Sequence, residues 1–379
     1  VNALTLWLVR PQARWGIWGL HLVLLAAIFL HQGILVDNEA LKYVGCAQQV
    51  LHGDLHDLTG NYLKYGAYVL FLIPFVALGL PSLAVLAQIA LGLVAADAFA
   101  RLAQRMTNSI VLSRIAWAAF LLCPLIQVWT LALYTEHFFT CATVLFLERL
   151  DRSTRVEPLT YGLALVTLFA RPVGLFVVVP ALVWKWTMAL PHAARLALRV
   201  ASICIVLGTA LLMPGIERAQ LLPIASGQVI AGVDGIQVPA VGFEGTQIWD
   251  AQRYLIYRAG IGTWSCITLE RMASLFDPTR LHFSKPHNAI NSLLFLLYPL
   301  ALFGWWKFRA DERTTLLATI VLGYTLLIGL THDEWSGRFL VPLLPAIMLL
   351  SMQGALALTR AAPGSSGTWT KATALPSRA

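Results

Sequence analysis

The chain has 379 residues, of which 58% are hydrophobic and 12% charged, well below the roughly 25% charged share of a soluble domain. Apolar runs of membrane-spanning length recur along it, which excludes a soluble enzyme held by one anchor. The formal charge of +8 falls mostly in short loops between those runs, where Lys and Arg set orientation in a bilayer, so it is not a nucleic-acid footprint. The sequence therefore reads as an all-α polytopic membrane protein.

Arg10 and Arg14 precede the first apolar run, 16–36, and place the N-terminus on the cytoplasmic side. That run is too long for a signal-peptide core and has no small-residue cleavage site, so it reads as a retained signal anchor. It delivers an acidic stretch, 36–64, to the outer face, with Asp37, Glu39, Asp54 and Asp57 beside His52, His56 and Lys64. Within it Ala40, Tyr43, Val44, Ala47, Val50 and Leu51 fall at helical spacing, and Gly53 is a natural stop. The expectation is a short helix lying on the outer membrane surface. Residues 65–80 are apolar but short, with Pro74 inside. If they span, Arg101, Arg105 and Arg114 fall outside; an interfacial or re-entrant course keeps those arginines inside and is favoured.

Further spans are expected at 82–100, 115–133, 138–147, 159–170, 173–186, 200–216, 289–306, 314–331 and 339–358. The total is about ten spans and one half-segment, a single transmembrane domain over 1–359. Its outer loops are 37–64 and 217–287, and a disordered cytoplasmic tail covers 360–379. Of the five cysteines, Cys123, Cys141 and Cys204 lie in apolar runs and read as packing residues, while Cys46 and Cys266 lie outside them and could pair.

Orientation fixed by the basic loops puts every unusual polar cluster on one face. Asp37 and Glu39 sit at a membrane edge, where a carboxylate can take a proton from a hydroxyl; the plainer reading is two solvated acids ending a span. Glu136 and His137 open a span, where an acid also suits the helix dipole. Arg171 lies within a nearly continuous apolar stretch, where an unpaired cation costs at least roughly 2.5–3.5 kcal/mol, so it calls for a phosphate or for a carboxylate such as Glu136. Arg338 repeats the argument at the head of the last span, and a guanidinium forks onto two oxygens of a phosphate. The long loop has no metal motif, nucleophile elbow or Gly-rich phosphate loop. Its Trp249, Arg253, Tyr254, Tyr257 and Arg258 have helical spacing and fit packing against headgroups. His282, Lys285 and His287 precede a span and either meet a phosphate or anchor at the interface.

Four features in chain order resemble the GT-C glycosyltransferases, the membrane enzymes that use polyprenyl-phosphate sugars. The acidic loop with Glu39, Tyr43, Ala47, Gly53, Asp54 and Leu55 is similar to that class's first loop. Thr135-Glu136 is similar to its second acidic site, Arg171-Pro172-Val173-Gly174 to its Arg-Pro-x-Gly turn, and Arg338-Phe339 with Pro342 and Pro345 to its Arg-Tyr-x-x-Pro-x-x-Pro span. The group resembled is that of the protein O-mannosyltransferases and the lipid A aminoarabinose transferases. Two departures stand out: Asn38 separates the two acids, and the chain ends soon after its last span, so peptide-acceptor work of the oligosaccharyltransferase kind is not expected.

The resemblance implies a GT-C-like bundle of about 10–11 transmembrane helices with outer juxtamembrane helices. It implies inverting transfer from an undecaprenyl- or other polyprenyl-phosphate donor to a hydroxyl on a glycolipid, polysaccharide or protein. The setting would be the periplasmic face of a bacterial inner membrane. Asp37 or Glu39 would be the base, with the choice open. Glu136, His137, Arg171, Arg338, Lys64, His282 and Lys285 would serve the donor phosphate. No metal is demanded, although some relatives use a divalent cation such as Mg or Mn. Two other readings compete: an O-antigen polymerase or ligase, which would lean on Arg253 and Arg258, and a flippase for lipid-linked glycans, which would need charges deep in several spans.

Overall fold

The computed structural model describes residues 10–60, 62–153, 155–233 and 237–361. Among these the regular structure is helical, with only two isolated β-bridges besides. The main helices are α1 (Pro11–Gln32), α2 (Asn38–Leu51), α3 (Gly66–Ala77), α4 (Ala84–Thr107), α5 (Ile110–Leu122), α6 (Pro124–Thr130), α7 (Thr135–Arg152) and α8 (Pro158–Ala170). They continue as α9 (Leu175–Trp186), α10 (His192–Leu212), α11 (Arg218–Ala225), α12 (Ile248–Leu275), α13 (Lys285–Ser292), α14 (Leu297–Lys307), α15 (Glu312–Leu330) and α16 (Leu344–Ala361).

Six helical stretches are long and apolar enough to cross a membrane: Gln12–Gln32, Pro81–Thr107, Ala193–Leu212, Lys285–Lys307, Glu312–Leu330 and Val341–Ala361. A seventh is counted if α5 and α6, bent by 51°, form one broken span. The protein is thus an all-α polytopic membrane protein by length and composition, with fewer full spans than the ten expected. The other three expected spans do fall on helices. However, α8 and α9 are short, and α7 is too polar to be exposed to lipid. Helix α7 instead runs through the centre, where thirteen consecutive positions from Thr135 to Leu147 include only one that is not buried. Polar side chains at its two ends are tolerated because neighbouring helices, not lipid, face them.

Helix α3 is about 18 Å long and cannot cross a bilayer core. It lies along α2, whose Tyr43 packs 5.3 Å from Tyr65 and 5.5 Å from Tyr68. It then hands over to α4 at the same end of the bundle. There Tyr68 donates to Gln88 Oε1 at 3.1 Å, and Gln88 Nε2 donates to the carbonyls of Thr130 and Ala132. Both ends of α3 thus lie near the outer end of α4, and α3 does not carry the chain to the opposite end of the bundle. Helix α2 has the expected amphipathic face, with Ala40, Tyr43, Val44 and Ala47 buried.

The residues assigned to the cytoplasmic side converge on one end of the bundle. Asp151 joins Arg105 (2.6 Å) and Arg313 (2.5 Å), and Glu148 joins Arg101 and Arg105, both at 3.2 Å. Arg14 pairs with Asp97 at 3.2 Å, and Arg195 and Arg199 both engage Glu312. Exposed Trp15, Trp186, Trp305 and Trp306 lie at the ends of helices on this side, as in an interfacial aromatic belt. The Ser153 carbonyl accepts from Lys185 in the same layer. A cysteine at Ser153 in whole cells is therefore expected to resist an impermeant thiol reagent added outside and to react once the membrane is opened. Labelling of intact cells would invert this orientation.

Helices α14 and α16 meet almost backbone to backbone. A Cβ on Gly354 would stand 2.0 Å from the Leu300 carbonyl oxygen, and one on Gly304 would stand 2.1 Å from that of Leu350. Ser351 Oγ donates across the contact to the Leu297 carbonyl at 2.8 Å. Small residues permit such close approach in membranes. Gly354→Ala is expected to destabilise the protein by about 1–3 kcal/mol through overpacking, read as a lowered thermal midpoint in detergent.

Three corrections to the sequence reading follow. The outer stretch 217–287 is not an open loop: it carries α11 and the 28-residue α12, broken at Gly260 where φ is 82°. Cys46 and Cys266 are both free, one buried in α2 and the other exposed on α12, and Cys204 is exposed rather than packed. Helix α16 runs on through Arg360 to Ala361, so the tail begins later than expected, and 362–379 lie outside the described residues.

Candidate active site

The acidic loop is brought to the bundle by backbone pairing. Leu35 N donates to the Leu131 carbonyl and its own carbonyl accepts from Leu133 N, each at 3.0 Å. This ties the end of the first span to the segment just before α7 and sets Asp37 beside Tyr134, whose hydroxyl donates to Asp37 Oδ1 at 2.9 Å. Asp37 occupies the N-cap position of α2, yet its side chain makes no capping hydrogen bond. One carboxylate oxygen is thus turned to Tyr134 instead of closing the helix, and the residue is exposed.

At the second residue of α2, Glu39 meets Arg338 in a two-pronged contact of 2.6 and 2.8 Å. Arg338 Nε also lies 3.7 Å from Glu136 and 3.6 Å from Glu334. Glu136, 1% exposed, lies 2.5 Å from Arg171 Nη1. That approach is ionic and out of hydrogen-bond alignment, so both Glu136 oxygens lack a hydrogen-bonding donor. Three carboxylates, Glu39, Glu136 and Glu334, therefore surround two guanidinium groups, a formal balance of −3 + 2 = −1 before Asp37 is added. The Phe339 ring lies 5.8 Å from the Arg171 guanidinium and 5.6 Å from that of Arg338, and faces the pair with an apolar wall.

The turn bearing Arg171 depends on its glycine. Residues Pro172–Gly174 form one 3₁₀ turn that folds back on α8, and a Cβ at Gly174 would stand 2.4 Å from the Thr167 carbonyl oxygen. Gly174→Ala is expected to push this turn off α8 and displace Arg171 from Glu136, read as a lowered thermal midpoint in detergent; an unchanged midpoint would show that the turn has slack.

Burial pushes the Glu39 carboxyl up, but the Arg338 fork, with Arg171 and Lys42 behind it, outweighs burial and holds it below the ordinary glutamate range. The sign follows: the stabilisation this tie gives is present above the unfolded-state value. It is lost only as pH falls through the lower folded-state one. The Tyr134 hydroxyl is raised, first by burial and then by the Asp37 carboxylate, so it remains a protonated donor.

The expected site residues divide. Asp37, Glu39, Glu136, Arg171 and Arg338 come together. His137 does not join them: its ring is buried between the Thr130 hydroxyl (2.8 Å) and the Gln88 carbonyl (3.0 Å). Lys64 is exposed, with Nζ 5.7 Å from the Tyr65 ring, and Lys285 is exposed at the start of α13. His282 packs 5.2 Å from Trp335, in the loop that leads to Arg338. Sequence reasoning missed Tyr134, Glu334 and Tyr324. The first directly precedes Thr135-Glu136, and Glu334 stands four positions before Arg338, so both carried a signal. Tyr324 carried none; its hydroxyl is buried without a partner.

Among the described residues no three His, Cys, Asp or Glu side chains gather as a metal-ligand group. Glu39 and Glu136 are each engaged by a guanidinium group. No match to this chain was found among protein-family models, curated proteins or solved structures.

Proposed function

We propose that the protein is an inverting membrane glycosyltransferase with a GT-C-like bundle, moving a sugar from a polyprenyl-phosphate donor to a hydroxyl acceptor on the outer face. The observation that carries the proposal is the paired-arginine, multi-acid cluster of Glu39, Glu136, Arg171 and Arg338, with Asp37 at its open edge. Buried charge of both signs is costly to assemble and marks function more often than stability. Along α7, Glu136 lies about 18 Å from the inner-layer Glu148, well short of a roughly 30 Å hydrocarbon core. This spacing supports a cluster set just below the outer membrane edge, within reach of a phosphate still attached to a lipid.

In this reading Asp37 is the base. Glu39 has both oxygens committed to Arg338, whereas Asp37 keeps one oxygen free and is oriented by Tyr134. The acceptor oxygen attacks the anomeric carbon from the face opposite the phosphate, and its proton passes to Asp37. The bond between that carbon and the phosphate oxygen breaks, and its electron pair leaves with the polyprenyl phosphate. Arg338 and Arg171 meet the growing negative charge, where fixed cations gain most.

The test uses the purified chain in nanodiscs with polyprenyl-phosphate hexoses, pentoses and aminosugars, and mass spectrometry of envelope glycolipids and glycans with and without the protein. A missing sugar mass restored by the wild type but not by Asp37→Asn supports transfer. A polymerase or ligase would instead change chain-length distribution. A flippase would move the lipid-linked sugar across the bilayer without making a new glycosidic bond.

A further inference from the structure

The outer layer holds an open groove that the transfer chemistry does not use. It lies between the first half of α12 and the segment 242–245. Its floor is fixed. Phe243 and Tyr254 meet edge to face at 5.5 Å, and the Tyr254 hydroxyl donates to the Pro239 and Val241 carbonyls, each at 3.0 Å. Its rim is free. Trp249 is 42% exposed and Tyr257 is 84% exposed, with exposed Arg253 between them on the same helical face.

We infer that this groove binds a saccharide chain. Two exposed rings a pair of turns apart present flat apolar faces of the kind that pyranose C–H groups cover. Glu244, Asp250 and Arg253 in the same lining supply the acceptors and donors that sugar hydroxyls need. Charge decides against the competing occupant, the anionic headgroup layer. Two carboxylates stand against two arginines once Arg258, held 5.5 Å over the Tyr254 ring, is counted, so the groove has no net pull on lipid phosphates. Asp250 is further committed to the start of its own helix, accepting from Thr246 N at 3.1 Å and Gln247 N at 3.2 Å, which holds the rim in place.

The groove is also tied to the candidate active site. Gln252, one position before Arg253, donates to the Leu330 carbonyl at the end of α15, and the loop from there carries Glu334 and Arg338. A saccharide seated here would be the far part of the acceptor whose near hydroxyl reaches Asp37; that assignment rests on the transfer reading, whereas saccharide binding itself does not.

The test is retention of fluorescently detected, detergent-solubilised protein on an array of bacterial-type oligosaccharides. Wild type, Asp37→Asn and the double variant Trp249→Ala/Tyr257→Ala are compared, each with its thermal midpoint. Partition onto phosphatidylglycerol–phosphatidylethanolamine vesicles is measured in parallel. The expected result is glycan retention by wild type and Asp37→Asn alike and at least a tenfold loss in the double variant at an unchanged midpoint. Equal retention by the double variant, no glycan retained by wild type, or a loss confined to vesicle partition would overturn the assignment. Retention without any transfer activity would sink the enzyme reading and leave the groove standing.

Discussion

Asp37→Asn is expected to lower glycosyl transfer by about 10²–10⁴-fold, the range associated with a positioned general base. The substitution is nearly isosteric. The amide oxygen still accepts from the Tyr134 hydroxyl, and the residue is exposed, so stability should change by no more than about 0.5 kcal/mol. The companion variant Glu39→Gln separates base from holder. It removes the charge that pins Arg338 and shifts the formal balance of the five-residue cluster from −1 to 0. It should weaken donor use and move the donor KM, whereas Asp37→Asn should act on kcat with the donor KM nearly unchanged. If Glu39→Gln instead abolished transfer at an unchanged donor KM, the roles of the two acids would be exchanged.

The parts of this site that the sequence carried were those with a cost attached. Arg171 stands in a long apolar stretch, and its need for a counter-charge is visible without coordinates; Glu136, named as the alternative partner, is the partner observed. The basic residues Arg14, Arg101 and Arg105 likewise found their places, because charge near a membrane edge is constrained by solvation. Span counting fared less well, for a physical reason. Hydropathy measures the tendency to face lipid, and α7 never does, while α8 and α9 are short helices joined by the Arg171 turn. What could not be read was the partnering of acids far apart in the chain. The Glu39–Arg338 fork joins the first loop to the last, and Leu35 reaches Leu131 through backbone groups that every residue has. His137 was drawn into the site by adjacency to Glu136, although neighbouring positions on a helix point about 100° apart and its ring serves the core instead.

Arg338 offers the second large effect, and the choice of variant decides what is learned. Arg338→Ala removes the two-pronged partner of Glu39 and the nearest cation to Glu334, and leaves Arg171 alone with Glu136. Glu39, about a third exposed, and Glu334 both lose this guanidinium, so the variant should be destabilised as well as impaired in donor use. Arg338→Lys is the sharper probe. It keeps the positive charge near Glu136 but loses the planar fork, since an ammonium cannot span two oxygens of a carboxylate or a phosphate at once. Its thermal midpoint should stay close to wild type, while the donor KM rises at least about tenfold, a loss of roughly 1.4 kcal/mol in binding the phosphate. The acceptor KM should be unmoved, because in the proposed mechanism the acceptor meets Asp37 rather than Arg338. A normal donor KM in a folded Arg338→Lys protein would show that Arg338 is only a strut for Glu39, and phosphate recognition would then fall to Arg171 alone.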